Sequence, residues 1–129
     1  MRYDYIQKVY FNKEITDRSL DDYDDRLGKF CVVEINEEWG KRGVREILTH
    51  IMGLMGYPGK ISPEDPLVSL EINHCWISEH NNKIHIQHKY WNGKEMVLFC
   101  DIMEALGKCC NFEVEYLSAE KIREFSPYH

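Results

Sequence analysis

The sequence lacks any long apolar run. Its longest stretches are as short as Met96-Val97-Leu98-Phe99-Cys100, whereas a membrane span needs about 18 or more apolar residues. The N-terminal MRYDYIQKVYF has no apolar core of the secretory kind, so a cytosolic protein is expected. No Cys-x-x-Cys pair occurs, which leaves a structural zinc site without its usual spacing. Walker, Gly-x-Gly-x-x-Gly, Gly-x-Ser-x-Gly and His-Glu-x-x-His motifs are absent, and with them the sequence marks of several nucleotide-binding and hydrolytic enzyme classes. No cofactor is therefore expected. Bases are also scarce. Sixteen Lys and Arg face 22 Asp and Glu, and the net charge of -6 repels phosphate backbones and argues against general nucleic-acid binding.

What is present suits one globular unit. A chain of 129 residues, 43% hydrophobic and 12% aromatic, has the size and apolar content of a single domain over residues 1–129. Five cysteines (Cys31, Cys75, Cys100, Cys109 and Cys110) form an odd set, two of them adjacent. That pattern fits free thiols in a reducing compartment rather than a disulfide framework.

Periodicity gives the element order. Alternating aromatic and aliphatic residues over 2–11 predict a strand, and the acid-rich stretch 14–25 reads as a loop. Residues 29–36 predict a second strand. Val44, Ile47, Leu48, Ile51, Met52 and Met55 then form one helical stripe, with Gly56 and Pro58 placed to end it. Strands are predicted over 67–78, 84–90 and 94–100, the last two joined at Asn92-Gly93, the preferred dipeptide of a type I′ hairpin. Asp101 reads as the N-cap of a helix to about residue 109, with Glu104 as its capping-box partner. A strand over 112–117 follows, then a helix over 119–125 capped by Ser118. The order is ββαβββαβα, an α+β domain with a mostly antiparallel sheet and helices packed on one face.

Several constellations can carry chemistry. The Asn92-Gly93 register sets His85 opposite Cys100, with β-carbons about 4.5–5.5 Å apart. Imidazole beside thiol is the minimum of a cysteine nucleophile, and Trp76, Tyr90 and Trp91 could wall its pocket. A buried structural thiol is the plain alternative. If 67–78 pairs with the next strand through a five-residue loop, His74 faces His88, two of the three or four ligands a metal needs. An Asn81-Asn82 type I′ turn would set His88 opposite Cys75 instead. Gly40-Lys41-Arg42-Gly43 resembles the Gly-x-x-Gly loop of KH nucleic-acid-binding domains. That resemblance implies a backbone approach to phosphate, helped by Lys41 and Arg42, although Glu37 and Glu38 oppose one.

The acid-aromatic segment carries the leading reading. Asp21, Asp22, Tyr23, Asp24 and Asp25 are followed by Glu37, Glu38 and Trp39. Carboxylates attract a basic surface at long range, and ring side chains anchor the contact. The expectation is a small protein-binding inhibitor of the immunity or antitoxin kind, occluding a basic partner such as a nuclease toxin. The alternatives are a thiol enzyme or small-molecule binder at Cys100 and His85, and a nucleic-acid module at Gly40–Gly43.

Overall fold

A computed structural model of the chain describes residues 3–16, 28–54, 69–72, 75–88 and 93–125. In chain order these form β1 (Ile6–Asn12), α1 (Lys13–Thr16), β2 (Cys31–Ile35), α2 (Gly40–Leu54), β3 (Ser69–Ile72), β4 (Cys75–His80), β5 (Lys83–His88), α3 (Gly93–Cys110), β6 (Glu113–Leu117) and α4 (Ala119–Arg123). The six strands make one sheet in the order β3-β4-β5-β2-β1-β6. Every pairing is antiparallel except that of β1 with β6. Leaving aside the four-residue α1, this is the expected ββαβββαβα α+β domain. Among the described residues no helix is long and apolar enough to cross a membrane.

Strand alternation sorts the side chains onto two faces. Val9 and Phe11 of β1, Val33 and Ile35 of β2, and Ile84 and Ile86 of β5 share the first face through the ladder pairings. They join Val44, Ile47 and Leu48 of α2 and Phe99, Cys100 and Met103 of α3 in one buried cluster. Each such aliphatic or aromatic side chain removed from water contributes on the order of 1.5–3 kcal/mol. The two long helices cover this face. The short α4 differs, because Phe125 just beyond it packs its ring 4.7 Å from that of Tyr10, whose side chain points to the second face.

Two departures from the sequence reading place the functional residues. The strand expected over 67–78 is two strands, β3 and β4. The strand expected over 94–100 is the first half of α3, and Gly93 opens that helix instead of turning a hairpin. Phe99, Cys100, Met103, Gly107 and Cys110, all buried, recur at helical spacing straight through Asp101. A buried stripe over residues 99–110 outweighs one turn dipeptide, because it sets a helix face against the core. The true hairpin turn is Asn81-Asn82, where both residues have positive φ, 49° and 62°, as a type I′ turn requires.

Smaller shifts have local causes. Tyr3–Tyr5 is a turn rather than the start of β1, and the register slips between Ile6 and Lys8, so that Tyr5 and Ile6 are both buried. Residues 14–16, read as loop, belong to α1, whose start the Asn12 side chain caps by accepting from the Glu14 backbone N–H at 2.9 Å. Ser118 caps α4 as expected, accepting from the Lys121 N–H at 3.2 Å.

Candidate functional site

One end of the sheet gathers acids from separate parts of the chain. Asn36, just past β2, donates its backbone N–H to the Tyr5 carbonyl at 2.9 Å and its side-chain amide to the Asp4 carbonyl at 2.7 Å. These bonds clip the Tyr3–Tyr5 turn onto the turn that carries Glu37, Glu38 and Trp39. The β4–β5 hairpin joins them, since Ile35 donates to the Asn82 carbonyl at 2.8 Å and Glu79 accepts from the Asn82 N–H at 3.3 Å. Asp4, Glu37 and Glu38 are exposed. Among the described residues no base pairs with Glu37 or Glu38.

Trp39 departs from the expected exposed anchor. It is half-buried against the core, edge-on to Tyr5 at 5.8 Å, with the Arg42 guanidinium over its ring at 4.4 Å. An indole is too apolar to stand free beside a core that can take it, so Trp39 fixes the turn and the two glutamates face outward. The acids Asp21, Asp22, Asp24 and Asp25, and Tyr23 between them, lie outside the described residues.

The remaining sequence candidates are rearranged. Gly40–Gly43 is the first turn of α2, not a loop open to phosphate. Arg42 is committed to Trp39 and to Glu46 at 3.4 Å. Gly43 is needed for packing, because a β-carbon there would lie 2.8 Å from Ile35 Cγ2 and 2.9 Å from Trp39 Cβ. Cys100 does not meet His85. The thiol is buried in α3 among the first-face core, while His85 alternates with Ile84 and Ile86 and so lies on the second face. Burial, with Asp101 and Glu104 adding, holds the Cys100 thiol well above its usual pKa, the opposite of an activated nucleophile. The His74–His88 pairing is replaced by the other register, with His88 opposite Cys75. His74 lies outside the described residues, among which no group of three metal-ligating side chains converges.

No known protein family matches the chain, and no curated protein or solved structure matches it.

Two polar constellations escaped the sequence reading. Ser78 of β4 stands opposite His85 of β5, both buried, at 2% and 0% exposure. Among the described residues neither the Ser78 Oγ nor either His85 ring nitrogen has a hydrogen-bond partner. Burial, with the charges of Lys29, Lys83 and His80 adding, lowers the His85 pKa to about 4, so the ring is neutral at pH 7. The Asn81-Asn82 turn implies this pairing, and choosing that turn from the sequence would have found it. The second constellation lies between α3 and β6. There Tyr116 donates its hydroxyl to Glu104 Oε2 at 2.5 Å in an open pocket of about 260 Å³. The partners come from different elements, and nothing in the local sequence pattern signals their meeting.

Proposed function

We propose that the chain works by binding a basic protein, as an inhibitor of the immunity or antitoxin kind, rather than by turning over a substrate. The observation that carries this reading is the clip at Asn36. Three turns distant in sequence are hydrogen-bonded into one acidic end, with Glu37 and Glu38 exposed and free of ionic partners among the described residues. Carboxylates held on short turns keep their direction, and a fixed array of like charges steers an oppositely charged partner at long range. Trp39, braced by Tyr5 and Arg42, sets the orientation of that turn.

The burial of Cys100 supports the same reading, since it removes the competing thiol nucleophile. A partner such as a nuclease toxin fits the charge balance, because a surface that holds a phosphate backbone is basic.

The test is capture on the immobilised protein from an extract of its own cells. A protein of high isoelectric point should be retained in stoichiometric amount and released by salt. Charge reversal in Glu37→Lys combined with Glu38→Lys should weaken that capture at least tenfold, while Glu120→Lys on the exposed face of α4 should leave it unchanged. Retention indifferent to the Glu37 and Glu38 reversals would remove the proposal.

A further inference from the structure

We propose that the pocket between the C-terminal half of α3 and strand β6 binds a small organic cation, an ammonium or guanidinium head on a short apolar stem. Among the described residues six line it: Glu104, Gly107, Lys108, Phe112, Val114 and Tyr116. The site is separate from the acidic end and does not depend on the protein-binding reading.

The apolar part is built for close contact. Gly107 presents no side chain, and a β-carbon there would come within 3.1 Å of the Phe112 carbonyl oxygen and of Val114 Cγ2. The helix therefore approaches β6 at that point, and Phe112 and Val114 form the wall. At about 260 Å³ the space falls just below the roughly 300–1,000 Å³ of typical small-molecule sites, which limits the occupant to a short stem.

The polar part offers acceptors. The single hydroxyl proton of Tyr116 is committed to Glu104 Oε2. Burial and the neighbouring carboxylate keep that phenol protonated far above neutral pH, so the donation persists. What remains for a ligand is the lone pairs of the Tyr116 oxygen and of Glu104 Oε1, and both require donors. The tyrosine ring is held by Phe11, stacked at 5.9 Å with an interplanar angle of 27°, so the phenol and carboxylate are oriented before any ligand arrives. Among the described residues Lys108 is the one cation at the rim. Its Nζ is 3.8 Å from Glu104 Oε1 and its side chain is 76% exposed. That distance is beyond a good hydrogen bond, and a solvated lysine yields readily to a better-placed donor.

The same head and stem occur in free amines and in the lysine or arginine side chains of peptides. The experiment is a ¹H–¹⁵N NMR titration of the whole chain with n-butylamine, agmatine and Nα-acetyl-lysine methylamide, and with n-pentanol as the uncharged counterpart. Saturable shifts are expected at Gly107, Phe112, Val114 and Tyr116, with n-pentanol at least tenfold weaker than the cations. Tighter binding of the blocked lysine assigns the site to a peptide side chain, and tighter binding of the free amines assigns it to a metabolite. Glu104→Gln should weaken the cations at least tenfold and leave n-pentanol unchanged. Absence of saturable shifts in the wild-type chain, or equal binding of n-pentanol and n-butylamine, overturns the proposal even if the variant does not fold.

Discussion

His85 on β5 stands directly across the ladder from Ser78 on β4, with both side chains buried and their three polar atoms unpaired among the described residues. Each such atom costs on the order of 1–3 kcal/mol in lost hydration, a large toll in a domain whose whole stability is about 5–15 kcal/mol. The fold tolerates it because Val32 on one flank and the first-face core beneath are fully buried, which fixes the strand register that brings the pair together.

The histidine makes stability depend on acid. Its folded pKa is about 4 against about 6.5 in an unfolded chain. Above about pH 6.5 both states are neutral and His85 adds no pH dependence. As pH falls toward 4 the unfolded chain takes the proton first, so stability is lost at up to about 1.4 kcal/mol per unit, about 3 kcal/mol in total. Urea unfolding at pH 7, 5.5 and 4.5 measures this slope. In His85→Leu the loss should shrink by that amount; an equal acid loss in both proteins would refute the assignment.

The serine gives a test of opposite sign to ordinary core truncation. Ser78→Ala removes a buried hydroxyl without a partner and leaves no sizeable cavity. Stability should stay level or rise by up to about 1 kcal/mol. A fall of more than about 1 kcal/mol in urea unfolding would show that the hydroxyl is bonded in solution.

Thiol reactivity separates the cysteines by burial. Among the described residues Cys109 is exposed, and Cys31, Cys100 and Cys110 are buried. Iodoacetamide at pH 8, followed by peptide mapping, should label Cys109 before Cys31, Cys100 and Cys110. Cys100 should react at least about a thousandfold more slowly, through the small unfolded fraction of a domain stable by roughly 5 kcal/mol. Labelling of Cys100 at a rate matching Cys109 would show that the thiol is not buried among the first-face core as described.

Much of this fold is legible from periodicity. The stripe from Val44 predicts α2, and Ser118 marks the start of α4, because burial and capping act within one element. The failures come where two local signals compete. Asn92-Gly93 is a strong turn dipeptide, yet the apolar stripe through Phe99, Cys100, Met103 and Cys110 decides in favour of α3. Asn81-Asn82 is a weaker dipeptide, yet it makes the hairpin, since its register joins Ile84 and Ile86 to the buried rows of β2 and β4. The candidate sites were less legible for the same reason. Glu37 and Glu38 come to the same end of the sheet as Asp4 through the Ile6–Ile35 pairing and the Asn36 hydrogen bonds, and Tyr116 reaches Glu104 only after α3 has crossed to β6.

Two glycines of α2 should respond in opposite directions to one methyl group. Alanine in a helix is favoured over glycine by up to about 1 kcal/mol, and at Gly53, in the last turn of α2, an added β-carbon meets nothing within 4 Å among the described residues. Gly53→Ala should therefore raise stability by up to that amount. At Gly43 the same carbon meets Ile35 Cγ2 at 2.8 Å, Trp39 Cβ at 2.9 Å and Tyr5 Cβ at 3.1 Å. Two of these atoms are fixed directly to backbone and cannot swing aside, so an overpacking cost of about 1–3 kcal/mol outweighs the propensity gain. Gly43→Ala should lower the urea midpoint while Gly53→Ala raises it. A rise at both positions would mean that α2 does not sit against the Asn36–Trp39 turn as closely as described, and the acidic end would lose its rigid support.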